Sequence, residues 1–262
     1  MHISSVAFDT GDLARAESFY GSVLGLHTIR DDGALTIWAG SSLLTLREGP
    51  IGPGRQHLAF TIPRLLFDSA KRWATDRVEL LCDNEGKDEF EASSHWNAHS
   101  LYFQDPDRNI LEFIIRRDVV DDRDGQFRPE HIECISEIGV ATEDVPGTAS
   151  QVESVLGITR YGGGVPTFQP VGDSDGLLIL VAPGRYWFPT RTPSAAGRLT
   201  VHIAGRSAGT ITPSPGTAIH SSIQASASPT LLPHVRSLCS LPGSPSSSAG
   251  KPCWLGQPEP GR

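Results

Sequence analysis

Cysteine is scarce: Cys82, Cys134, Cys239 and Cys253 are the only four in 262 residues. None forms a C-x-x-C pair, so neither a zinc cage nor a redox dithiol is signalled. Positive charge is also short, with 22 Lys and Arg against 30 Asp and Glu and a formal charge of −8. Nucleic acid and anionic membranes reward basic surfaces, so neither is an expected partner. No apolar run is long enough to cross a bilayer, and the N-terminus lacks a charged segment followed by an apolar core. The expectation is a soluble cytoplasmic protein. The acid is unevenly spread. Residues 206–262 carry Arg206, Arg236, Lys251 and Arg262 against Glu259, which is +3 and leaves −11 for the body.

What is present is a repeat, the feature to look for first in a chain of this length. His2 to Phe8 alternates like a strand with one face buried. Asp9-Thr10-Gly11-Asp12 can cap a helix over Leu13 to Leu24, which Gly25 ends. Short strands follow around His27 to Arg30, Ala34 to Ala39 and Ser42 to Arg47, giving a βαβββ unit. The unit recurs with a strand at Gln56 to Ile62, a helix at Leu66 to Ala74, and strands at Val78 to Cys82, Ser100 to Gln104 and Asn109 to Arg116. After a charged linker, Arg116 to Glu130, Glu137 to Val145 echoes Ser5 to Leu13 and opens a third copy. Leu199 to Ile203 reads as the first strand of a fourth module with no continuation.

The expected fold is therefore α+β, with two βαβββ modules paired in residues 1–118 and a third, incomplete one in 131–205. Nine of the twenty prolines fall after Gly205, among many serines and glycines. Such a composition cannot offset the entropy of ordering, so residues 206–262 are expected to be a disordered tail.

One residue inside the pattern calls for an explanation. Glu112 interrupts an otherwise apolar strand, Ile110-Leu111-Glu112-Phe113-Ile114-Ile115. Burying a carboxylate costs several kcal/mol unless it meets a metal or a cation. In the repeat His2 falls opposite His57, and Thr45 opposite Glu112. His2 to His57 and His57 to Glu112 are both 55 residues, one module length. The third copy has Cys134 and Ile179 at the corresponding places, so it is expected to keep the fold without the ligands.

The stretch SHWNAHSLYFQDPDRNILEF, Ser94 to Phe113, resembles the signature of the extradiol ring-cleaving dioxygenases. That signature runs from a His through an apolar residue, a Tyr and Asp-Pro to a Glu, here His95, Leu101, Tyr102, Asp105, Pro106 and Glu112. The Gly usual in the turn is Arg108, and Asn109 is expected to take the left-handed conformation instead. More broadly, the Asp-Pro-Asp-x-Asn turn before a strand carrying Glu is similar to the vicinal oxygen chelate superfamily. This superfamily includes glyoxalases, fosfomycin-modifying enzymes, bleomycin-binding proteins and the extradiol dioxygenases.

The resemblance implies that two modules enclose a cavity whose divalent metal is held by His2, His57 and Glu112, with Thr45 in the fourth place. Two imidazoles and a carboxylate suit Fe(II), and are acceptable to Mn(II), Zn(II) or Ni(II). It also implies that His95 and Tyr102 handle a substrate proton, with His99 as the alternative base. Alternation along the strand puts His99 opposite to Ser100 and Tyr102. The expected function is a metal-dependent dioxygenase acting on a small catechol-like molecule. A glyoxalase-type lyase or isomerase, a thiol transferase and a metal-free ligand-binding protein are the alternatives. The expected partner is a small-molecule substrate, with a homodimer left open. Arg185 to Thr190, an aromatic run, reads as a domain contact or a lid.

Overall fold

The computed structural model describes residues 1–92, 96–119 and 123–223. Four modules follow one another. The first holds β1 (His2–Thr10), α1 (Leu13–Glu17), β2 (Thr28–Asp31), β3 (Ala34–Ala39) and β4 (Ser42–Glu48). The second holds β5 (His57–Thr61), α2 (Phe67–Thr75), β6 (Phe90–Ala92), β7 (Ala98–Gln104) and β8 (Ile110–Arg116). The third is β9 (Cys134–Ala141), α3 (Val145–Leu156), β10 (Phe168–Asp173) and β11 (Gly176–Val181). A small hairpin, β12 (Tyr186–Trp187) with β13 (Thr192–Pro193), precedes β14 (Leu199–Gly205), β15 (Gly209–Ser214) and β16 (Thr217–Ile223).

The α+β class built from repeated βαβββ modules is as expected. The pairing of modules differs from expectation. One seven-stranded curled sheet runs β15-β16-β14-β1-β4-β3-β2, and the other runs β10-β11-β9-β5-β8-β7-β6. The first module therefore shares a sheet with the fourth, through β1 and β14, and the second with the third, through β5 and β9. Modules one and two, expected to pair within residues 1–118, lie in different sheets. Their shared surface is a packed core, in which Val6, Phe8, Leu44 and Leu46 belong to one cluster with Leu58, Phe60, Leu111 and Phe113.

Residues 206–223 are a second correction. They were expected in the tail, and they form β15 and β16. Ser214-Pro215-Gly216-Thr217 is a turn in which Gly216 takes φ 81°, the Pro-Gly chemistry of a tight hairpin. Pro213 sits on the edge strand, where its missing N–H costs no ladder bond. Ile211 and Ile219 are buried. The rest of the expected tail, 224–262, lies outside the described residues. The strand expected over Val78 to Cys82 is only an isolated bridge between Leu80 and Phe103; β6 takes the edge instead.

Local chemistry sets the helix ends. The Asp12 carboxylate accepts from the Ala14 and Arg15 amides, and Asp144 accepts from Gly147. Gly157 ends α3 at φ 68°. No helix among the described residues is long and apolar enough to cross a membrane.

The Asp-Pro-Asp-Arg-Asn turn is the joint between the first two modules. Asp105 accepts from the Asp107 and Asn109 amides and from the Tyr20 hydroxyl at 3.0 Å. Asp107 accepts from Thr10 and from the Gly11 amide. Burial pushes the Asp105 carboxyl up to about 6, against the hydrogen bonds from Asn109 and Tyr20. The left-handed place belongs to Arg108, at φ 66°, and not to Asn109. Asn109 is used otherwise: its side-chain oxygen accepts from the Gln56 amide at 2.9 Å, which sets β5 beside β8.

Candidate metal centre

β5 and β8 are parallel neighbours with His57 opposite Ile110 and Ala59 opposite Glu112. On the other side of β5, Ala59 is opposite Glu137 of β9. Side chains alternate along strands, so His57, Ala59, Glu112 and Glu137 all stand on one face of the sheet. Ala59 is small enough for the two carboxylates to lean towards each other across it. A break in the β5–β9 register between Ala59 and Phe60 leaves Ser136 as an extra residue, and this bulge sets which β9 side chains face the cavity.

His57 Nε2 lies 3.3 Å from Glu112 Oε2 and 3.8 Å from Glu137 Oε2. His57 is 7% exposed and each glutamate 3%, so these charges must be balanced by neighbours rather than by water. Arg116, at the end of β8, forms a buried ion pair with Glu137. Burial opposes a charge on His57, but hydrogen bonds and the negative charges of Glu112 and Glu137 outweigh it and raise its pKa from 6.5 to about 9. Without a metal His57 is thus held as an imidazolium beside Glu112 and Glu137. His57 Nδ1 and the Nε and Nη1 atoms of Arg116 are buried with no protein partner.

The donor set fits a divalent cation. One donor atom from each of His57, Glu112 and Glu137 lies within 4.8 Å of the others. Bonds of about 2.0–2.3 Å place neighbouring donors roughly 3–4.5 Å apart, which brackets the 3.3 and 3.8 Å found. One nitrogen and two oxygens leave coordination positions open towards the cavity.

That cavity, of about 220 Å³, is walled by Trp96, Tyr102, Phe168, Trp187 and Phe188 above the three donors. Trp187 stacks on His57 with ring centres 5.3 Å apart, and its indole N–H donates to the Arg55 carbonyl. Gly139 makes room for it: a Cβ there would meet the Trp187 ring at 2.5 Å. Tyr102 stands directly opposite Glu112 across β7 and β8, and burial, with the charges of Glu112 and Glu137, holds its hydroxyl well above the ordinary tyrosine pKa.

The residues expected from the sequence are only partly assembled. His57, Glu112 and Tyr102 come together. His2 does not join them: it starts β1 in the other sheet, opposite Ala204. In the sheets Ala7 pairs with Thr45 as Ala59 pairs with Glu112. The counterpart of His57 is therefore Ser5, and the 55-residue interval from His2 has no structural meaning. Thr45 is likewise in the other sheet. His99 stands on the opposite face of β7 from Tyr102, stacked on Phe67 at 3.9 Å, and burial lowers its pKa. His95 lies outside the described residues. Glu137 was missed although it interrupts an apolar strand just as Glu112 does. The third module was expected to add nothing to the site, and it supplies a carboxylate to the cluster, Glu137.

No family model matches the sequence, and no curated protein matches it. In structure the chain is similar to a candidate dioxygenase from Bacillus subtilis, at TM-score 0.57 and 16% identity, over 84% of this chain and 85% of that one. A variant of glyoxalase I from Zea mays matches at TM-score 0.46 and 18% identity over 77% of this chain and 74% of that one. A glyoxalase/bleomycin resistance protein/dioxygenase from Nocardioides matches at TM-score 0.37 and 20% identity over 48% and 89%. The fold is shared with the first of these, in keeping with the resemblance in the sequence. A shared fold does not fix a reaction, which has to be argued from the site.

Proposed function

We propose that this chain is a divalent-metal-dependent enzyme of the extradiol dioxygenase type, acting on a small aromatic molecule with two adjacent oxygens. The observation that carries this is the convergence of His57, Glu112 and Glu137 at the floor of an aromatic-walled cavity. A divalent ion there would supply Lewis acidity towards both substrate oxygens and, as Fe(II), redox chemistry with O₂. Fe(II) is the first choice, with Mn(II), Zn(II) and Ni(II) as alternatives.

The chain's own residues do the remaining work. Trp187, anchored through its indole N–H, offers a flat face to the substrate ring. Ile179, Phe168 and Phe188 help to exclude water from the donors. Tyr102, held protonated by its surroundings, can donate to a substrate oxygen beside Glu112 and take the proton back. A cavity of about 220 Å³ is below the usual range for drug-sized ligands, which favours a single ring.

A second carboxylate where the resemblance implies an imidazole favours one other reading. Glu137 could serve as a base in a glyoxalase-type isomerase or lyase. The two are separated by supplying the protein with Fe(II) and a panel of catechols, or with Zn(II) or Ni(II) and a glutathione hemithioacetal. Oxygen uptake with a yellow ring-opened product is expected in the first experiment. No uptake across the panel, with turnover of the hemithioacetal, would overturn the dioxygenase reading.

A further inference from the structure

The cavity holds one cation that the metal cluster does not use. Arg185 belongs to the cavity wall, and its guanidinium lies 4.8 Å from the centre of the Phe168 ring. One of its nitrogens reaches the Thr167 hydroxyl at 3.4 Å. It takes part in no ion pair among the described residues, unlike Arg116, whose charge is matched by Glu137. A guanidinium kept at a cavity wall without a carboxylate partner has its paired donors free for an anion from outside.

Its place is fixed by the hairpin. The Ser194 amide donates to the Arg185 carbonyl, extending the β12–β13 ladder by one pair. Arg185 and Trp187 therefore stand on the same side of the chain, two residues apart, about 6.6 Å in extended backbone. Trp187 covers His57. A single ring with one end at the donors and its face on Trp187 would present its far end towards Arg185.

We infer that Arg185 is a specificity-determining residue, and that the ligand is an aromatic vicinal diol carrying a carboxylate on the ring edge opposite its two oxygens. This rests on the reading of the site as one for vicinal oxygens. The charge pattern agrees. A dication, Arg116 and two glutamates leave one positive charge for a singly ionised diol, and Arg185 supplies a second for the carboxylate.

The test is equilibrium binding, followed by quenching of tryptophan fluorescence, of 3,4-dihydroxybenzoate and of its uncharged amide. The protein is the full chain loaded with Mn(II) under anaerobic conditions. The acid is expected to bind about tenfold tighter than the amide, as an Arg–carboxylate contact at a partly open site implies. Arg185→Gln should abolish that advantage and leave the affinity for the amide within about twofold. Arg185 is exposed, so the substitution is not expected to disturb folding, and a role confined to packing on Phe168 would weaken both ligands alike. Equal affinities in the unsubstituted protein, or an advantage that survives Arg185→Gln, would overturn the inference while leaving the vicinal-oxygen site intact. Failure of both ligands to bind would overturn the two together.

Discussion

Arg116 on β8 is paired with Glu137 on β9 across the intervening strand β5, and both are buried. The pair fixes one oxygen of Glu137 and leaves the other, 3.8 Å from His57 Nε2, to act as a donor. It does for this carboxylate of the candidate site what outer partners commonly do for metal ligands, which is to set orientation.

Arg116→Met should therefore leave Glu137 buried with only His57 opposite. Removing one partner of a buried pair costs about 3–5 kcal/mol, so a large drop in the midpoint of urea unfolding is expected. Adding Glu137→Leu to Arg116→Met should restore much of that stability but not metal retention. If Arg116→Met is as stable as the parent, the ion pair is not the constraint described here.

The pKa of His57 gives a pH dependence with a defined sign. Its value is raised from 6.5 to about 9, so the metal-free protein holds this stabilisation fully below pH 6.5 and loses it as pH rises through about 9. Metal binding runs the other way, because the imidazole must give up its proton to bind. Between pH 6 and 8 the affinity for Mn(II) should rise by close to tenfold per pH unit, with about one proton released per ion. Calorimetry in buffers of different ionisation enthalpy measures that proton. A pH-independent affinity would contradict the raised value.

Ending the chain at Gly205 removes β15 and β16, leaves β14 without a neighbour on one side, and deletes buried Ile211 and Ile219. Loss of two such side chains costs on the order of 4 kcal/mol or more. A thermal melt of the shortened chain should show a clearly lower Tm or no cooperative transition. An unchanged Tm would mean these strands add nothing to the sheet.

The contrast between these two strands and the expectation of a disordered tail shows what the sequence could carry. The repeat was legible because a βαβββ unit leaves its own periodicity, and Glu112 and His57 stood out as polar residues in apolar strands. Module pairing was not, because the contacts of β1 with β14 and of β5 with β9 join residues far apart in the chain. Counting residues points to His2, but loops of unequal length break such counts, and only the ladder shows that Ser5 answers to His57. Glu137 is hidden because the same count puts Cys134 and Ile179, and not Glu137, at the places that answer to His2 and Glu112. The bulge at Ser136 is not visible without the partner strand. In 206–223, proline and glycine belong to a hairpin turn and an edge strand, and composition alone could not separate that from low complexity.

The central claim is that His57, Glu112 and Glu137 hold one divalent ion. The most direct measurement is the metal content of anaerobically purified protein reconstituted with Fe(II) or Mn(II), for the unsubstituted chain, Glu137→Ala and His2→Ala. One ion per chain is predicted for the unsubstituted protein and for His2→Ala, and a loss of at least about tenfold in affinity for Glu137→Ala, in line with the loss of a ligand. Stoichiometric metal in Glu137→Ala, or its loss in His2→Ala, would contradict the assignment.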